Sequence, residues 1–366
     1  CGTANATGGN GVFNFRLDHQ AAILVFQPFT NNTAVKNCQL TKIEVTSDND
    51  LTGTYTLDTT TGELSGTGSG KTITMTTKGS GSYANGFPLT NSTADVATNG
   101  AYVVIRPGTH TLTVRYWIKD YVTNVEGAIT KTYDSFKYEK NDYYDMTANI
   151  NVTDYDGRQY YMWDAKNNYW NGHEWDSADP WQLVLDGYEG KYAQVEDNFY
   201  NNSGGGNKRY DAINNSCKDL PNVNEMAAYV LKGDPHWDGE KLWSAMGHLH
   251  KGGMWFKTKA SISYTYYFDS QRAPNGTDMR NNGGSVSNTP KQGTPVQNYF
   301  NRYFFVPALG YYSFGSFTNI GTKGSYWTSS AHPDDSNWAY CLTFSNSVVT
   351  LDGPDSSNGS YTMKFE

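Results

Sequence analysis

The chain has 366 residues, which is too many for one ordinary hydrophobic core and enough for two. Only 17% of them are charged and the formal net charge is −8, so no basic stripe is present to neutralise phosphates. Nucleic acid and anionic membrane surfaces are therefore excluded as principal partners.

No apolar run reaches the roughly eighteen residues that span a bilayer, the longest being the short 21–26 run. The 37 glycines and 28 tyrosines, among abundant Asn, Ser and Thr, are the composition of a turn-rich β protein on the outside of a cell.

The first residue is Cys1 and not Met, so the numbering begins on a processed or truncated product. Two explanations compete: a lipid-bearing first cysteine that tethers the chain to a membrane, or proteolytic removal of an upstream segment. Residues 2–7 lead into the first strand within about a dozen residues, leaving little flexible tether, which favours the second. Cys38, Cys217 and Cys341 are widely separated and lack C-x-x-C spacing, which excludes a zinc knuckle or a thioredoxin-like motif. Cys217 and Cys341 are a candidate disulfide; the other reading of Cys341, in an alternating strand, is a free half-buried thiol.

Residues 1–153 read as an antiparallel β-sandwich. Strands are expected at 11–18, 21–29, 38–47, 52–58, 72–77, 101–105, 110–119 and 144–152. Each alternates with period two, as Leu112, Val114, Tyr116 and Ile118 do, which puts one face in a core. No helical period longer than two turns interrupts them. His19, alone at a strand edge with no partner residue nearby, reads as structural.

Several of these segments resemble the fimbrillin family of the Bacteroidota. The residues that carry the likeness are Leu17, His19 and Ala21 through Phe26; the paired stretches Leu40 to Ser47 and Leu51 to Tyr55; the turn Tyr102 to Thr109; and Asp142-Tyr143-Tyr144. The resemblance implies a pilin-type sandwich that assembles by donor strand exchange, with other copies of the chain or related pilin subunits as partners. Cys1 to Ala4 resembles a segment that other members place after additional strands. A sandwich lacking those strands would expose unpaired backbone beside an apolar groove that a neighbouring subunit fills.

From Asp154 to the end, at 154–366, the composition changes. Trp163, Trp170, Trp175 and Trp181 are interleaved with Tyr160, Tyr161 and Tyr169 and with Asn, Asp, His and Glu. Flat rings beside amide and carboxylate acceptors are what sugar rings need, and Trp170, Trp175, Asp176 and Trp181 form the candidate ligand site. The competing reading is that these aromatics substitute for a continuous core, as Trp163 and Trp255 are expected to do.

A helix is expected at 222–231. Asn222 is its cap, Glu225 the reciprocal partner, Val223, Met226, Ala227 and Val230 its apolar face, and Gly233 its stop. Residues 203–207 and 281–297 read as long exposed loops. Tyr361, Met363 and Phe365 alternate with polar residues and form a candidate donated strand, the reading as a strand of this chain's own sheet being favoured.

No metal or cofactor is expected. His248 and His250, with His236 or Asp238, lie in a glycine-rich setting and do not offer the fixed set of ligands that zinc requires. Asp154, Asp156 and Gly157 echo the start of a calcium loop, but the later oxygen ligands are missing. Asp164, Glu174, Asp176 and Asp179 are carboxylates of the kind that pair in glycosidases, and Asp is equally a turn former. Without a G-x-S-x-G, H-E-x-x-H or phosphate-binding glycine loop, the chain reads as non-enzymatic.

Blocks in the second half resemble the Fibrobacter-type major paralogous domain, a C-type-lectin-like domain of bacterial surface proteins. They are Ser216 to Pro221, Asn224 to Met226, Gly252 to Phe256, Phe305 to Ala308 with Gly310-Tyr311, Tyr326 to Ser330, and Ala339 to Phe344. The resemblance implies an α+β lectin-like domain with few short helices, on the cell surface, in a fimbrium or at the outer membrane. The expected protein is mostly β and serves as a fimbrial subunit or fimbrillin-like adhesin in cell adhesion. The alternative is a surface lipoprotein that does not polymerise and binds host or microbial glycans or proteins through the aromatic-rich second domain.

Overall fold

The computed structural model describes residues 2–4, 6–61, 63–191, 195–202, 209–266 and 268–366. Cys1, on which the lipidation question turns, and the loop expected at 203–207 lie outside the described residues. The protein is mostly β with a few short helices. Its contacts divide it into two compact units, one of Cys1–Thr153 with Gly247–Leu249, the other of Asp154–Met246 with His250–Glu366.

In the first unit two sheets enclose the core. One places Gln39–Ser47 beside Gly108–Lys119, with Glu126–Tyr138 outside the latter and Thr72–Thr76 and Phe87–Pro88 on the far edge of the former. The other has three strands, with Ala22–Phe29 central, Ala101–Ile105 antiparallel on one side and Tyr143–Asn149 parallel on the other. Alternation explains the layers. Leu112, Val114, Tyr116 and Ile118 are fully buried, and the ring of Tyr116 meets that of Phe26 from the other sheet edge-on at 6.2 Å.

Besides short pieces of two or three residues, two longer strands of this unit were not expected from the sequence. Glu126–Tyr138 is an edge strand with mostly polar exposed positions, and its register slips opposite His110 and Leu112 at a bulge, which breaks the alternation. Leu64–Gly70, of sequence LSGTGSG, has turn composition and becomes a strand only because Thr52–Leu57 pairs with it. The single strand expected at 11–18 is instead two short pieces, Val12–Asn14 and Asp18–His19.

The second unit is built on two mixed sheets. In one, His236–Ala245 and His248–Lys257 are followed by Tyr303–Pro307; in the other, Gly324–Ala331 is central, next to Ala339–Phe344 and then Val349–Asp352. Every residue of Gly324–Ala331 is buried, so it reads as a continuous run and not an alternating one. The helix Val223–Lys232 packs on this core through Val223, Met226, Ala227 and Val230. It begins with the expected capping box, Asn222 with Glu225. Gly233 ends it at φ −75°, and the left-handed turn is taken by the next residue, Asp234, at φ 46°.

Two expectations are corrected here, that of a loop at 281–297 and that of a Cys217–Cys341 disulfide. The 281–297 segment is not a bare loop, because Val286–Asn288 pairs with Val349–Asp352 and Lys291–Gln292 runs parallel to His236–Trp237. Tyr361, Met363 and Phe365 follow the favoured reading and pack within their own chain. Tyr361 pairs with Tyr160 and Tyr326, Phe365 is buried against Tyr229, Phe256, Phe304 and Tyr326, and Met363 packs on the same core. Their apolar faces are already used by their own chain.

The second correction concerns Cys217 and Cys341, which are free thiols and share one small buried cluster with Trp163 and Trp327. Each sulfur is engaged separately: Cys217 accepts the Asp164 N–H at 3.3 Å, and Cys341 lies 3.3 Å from the Ser325 hydroxyl. The Cys341 thiol is fully buried, not half-buried.

Candidate functional site

The aromatic stretch of the second unit is held from within. The indole N–H of Trp163 donates to the Thr328 carbonyl at 2.9 Å, and that of Trp327 to the Tyr161 carbonyl at 2.7 Å. Asp164 takes a left-handed φ of 50° and is fully buried. Its carboxylate accepts the N–H groups of Ile213 and Asn214 and the Asn201 amide, the shortest at 2.7 Å. Burial nevertheless pushes its pKa above the usual carboxylate range. With these bonds Asp164 fastens a distant loop and is closed to solvent.

The four candidate ligand residues do not form an open platform. Trp170 is 2% exposed and packs against Tyr169 and Tyr312, so no sugar reaches its ring. Trp175 is half-buried over Gly157, where an added Cβ would meet Met246 Cγ at 2.4 Å and the indole at 3.1 Å. Asp176 is committed to Arg158, with both carboxylate oxygens 2.7 Å from one guanidinium nitrogen. Trp181 is stacked on His173 with centroids 3.5 Å apart and 6° between planes, and the Lys191 ammonium lies 4.6 Å from the same ring. The packing reading accounts for these residues, because a loop-rich layer obtains its burial from large side chains.

The remaining carboxylates are similarly occupied. Glu174 accepts from the Asn168 amide and the Gly172 N–H, each at 3.0 Å, and Asp179 accepts from the Trp181 indole at 3.2 Å. Asp154 takes the Ser244 hydroxyl at 2.6 Å, and Asp156 takes the Arg158 N–H at 2.9 Å. His250 is buried and stacks on Trp243. Among the described residues no group of three or more His, Cys, Asp or Glu side chains is placed to hold a metal ion.

The first unit offers a different arrangement. Ala101–Ile105 is the end strand of the three-stranded sheet, so its outer edge has no strand partner among the described residues. Beside Val104 and Ile105 opens a cavity of about 720 Å³, lined also by Tyr55 and Leu57 of the strand Thr52–Leu57 and by Arg106 and Lys140. On the outer face of the same sheet Tyr102, Val104 and Tyr143 are 58%, 60% and 71% exposed. Along the N-terminal segment Val12, Phe13, Phe15 and Leu17 are all exposed, Phe13 lying in the short strand Val12–Asn14 that pairs with Thr7–Gly9. The sequence identified both strands, but not the cavity, because one of its walls is the unexpected strand Leu64–Gly70.

Among the described residues no helix is long and apolar enough to cross a membrane. A scan of the chain against protein-family models matches none, and a search of curated proteins finds no matching relative.

Proposed function

We propose that the chain is a non-enzymatic cell-surface protein of the fimbrial type, a fimbrillin-like subunit or adhesin that associates with further subunits by strand donation and carries a second, lectin-like unit. The observation that carries the reading is the unpaired edge of Ala101–Ile105 beside an amphipathic cavity. A row of unpaired backbone N–H and C=O groups next to apolar pockets is what an incoming strand uses. Phe13, Phe15 and Leu17, exposed and spaced two apart, supply the side-chain period of a donated strand once the short pairing of Val12–Asn14 with Thr7–Gly9 opens. The sequence likenesses to fimbrillins and to major paralogous domains point the same way, as associations and not as a mechanism.

The test is electron microscopy of the protein taken from its native surface, with mass spectrometry of its first residue. Filaments built from an unlipidated chain are expected. Single particles carrying a lipid on Cys1 would overturn the reading in favour of a tethered binding protein.

A further inference from the structure

A second cavity, of about 400 Å³, lies in the second unit where the helix Val223–Lys232 ends. Three lysines, Lys232, Lys257 and Lys291, line it together with one carboxylate, Asp234. Lys291 Nζ is 2.7 Å from Asp234 Oδ1, and Lys257 Nζ is 3.6 Å from Oδ2. The Tyr303 hydroxyl donates to the same carboxylate at 2.7 Å. Burial pushes the Asp234 carboxyl up, but the bonds from Lys291 and Tyr303 and the charge of Lys257 outweigh it and hold the pKa at about 2.

Asp234 is therefore ionised at neutral pH and offsets one of three ammonium charges. Lys232 makes no ion pair among the described residues, and its ammonium stands 4.5 Å from the ring centre of Tyr266. The carbonyl end of the helix contributes roughly half a negative charge, which leaves the cavity positive in a chain whose net charge is −8. Like charges gathered at a concave site strengthen the local field and favour an oxyanion there.

We propose that this cavity binds an acidic saccharide, its sulfate or carboxylate group held by Lys232, Lys257 and Lys291 and its ring set against Tyr266. The volume lies near the lower end of small-ligand sites, roughly 300–1,000 Å³, and suits one substituted sugar ring. The lining is mostly polar, with Thr289 and the partly exposed Tyr266 as neighbours. Sugar hydroxyls and C–H faces use such a surface, whereas peptide side chains need deeper apolar anchors than Leu231, Pro235 and Tyr266 supply. The assignment does not rest on the fimbrial reading, since it concerns one unit by itself and is tested without assembly.

The experiment is calorimetric titration of the full chain with glucose 6-sulfate, glucuronate, glucose, inorganic sulfate and a glutamate-rich peptide. Saturable binding of the sulfated or carboxylated sugar is expected, with glucose and inorganic sulfate each at least about tenfold weaker. Lys232→Gln should weaken binding at least about tenfold, Lys232→Arg should retain it, and Lys364→Gln, at an exposed lysine outside the cavity, should leave it unchanged. Lys257→Gln is a second variant in case one substitution disturbs folding, which far-ultraviolet circular dichroism reports. The proposal is overturned if no acidic sugar binds, if inorganic sulfate or the peptide binds as tightly, or if both glutamine variants fold and bind unchanged.

Discussion

The imidazole of His173 lies flat on the indole of Trp181, 3.5 Å from centroid to centroid, and Nδ1 of the same imidazole is 2.9 Å from the Asp179 carbonyl. The Trp181 N–H returns to the Asp179 carboxylate, so one short loop is closed by a stacked pair and two polar contacts. An aromatic residue placed in this way stabilises its own loop.

Trp170→Ala should therefore destabilise the second unit by about 3–5 kcal/mol, the usual loss for a buried tryptophan. Trp181→Ala, at a half-buried site, should lose less, about 1–2 kcal/mol. Equilibrium urea unfolding of the whole chain, followed by fluorescence, measures both. A Trp170 variant of unchanged stability that has lost glycan binding would restore the platform reading.

Asp278 and Arg280 predict a pH dependence. The guanidinium of Arg280, almost fully buried, holds both carboxylate oxygens at 2.8 and 2.9 Å, and it draws the Asp278 pKa down to about 2. A carboxyl with a depressed folded pKa stabilises the fold fully above its unfolded value of about 4, and this contribution is lost as pH falls towards about 2. The wild type should lose stability across that window, and Asp278→Asn should be less stable at pH 7 yet lose less on acidification. Parallel midpoints for the two proteins from pH 5 to pH 2 would refute the assignment.

Burial pushes the Cys217 and Cys341 thiols up to about 12 and about 11, and raises Cys38 further. Since the thiolate is the reactive form, alkylation with iodoacetamide at pH 8 should spare all three in the native chain and modify them within minutes in denaturant. Peptide mapping gives the answer, and a linked Cys217–Cys341 peptide would contradict the free-thiol arrangement.

Phe365→Ala should cost about 3–5 kcal/mol because four aromatic rings of its own unit surround this side chain. If the last residues served only as a strand for another subunit, the isolated chain would show no change in its thermal midpoint.

Asn222→Ala should cost about 1 kcal/mol, since it leaves two N–H groups of the first helical turn without the side-chain Oδ1 of Asn222 that accepts both at 3.0 Å. Helicity is a small share of this protein, so thermal unfolding is the more sensitive measure.

What was legible in the sequence is what short-range chemistry determines. The alternation of Leu112, Val114, Tyr116 and Ile118 places these residues in a core whatever their strand pairs with, because the pleat has period two. The box of Asn222 and Glu225 starts a helix because its donors and acceptors lie within one turn. The mostly β character with few short helices follows from such patterns repeated along the chain.

The tertiary structure alone decided which aromatics face solvent. Trp170 is enclosed by Tyr312 from more than a hundred residues away, whereas Trp181 is covered by His173 from its own loop. It also chose separate partners for Cys217 and Cys341, used Tyr361 and Phe365 within the chain, and gathered Lys232, Lys257 and Lys291 around Asp234. Burial and charge clustering depend on residues that meet only after the sheets have closed, so no local pattern encodes them.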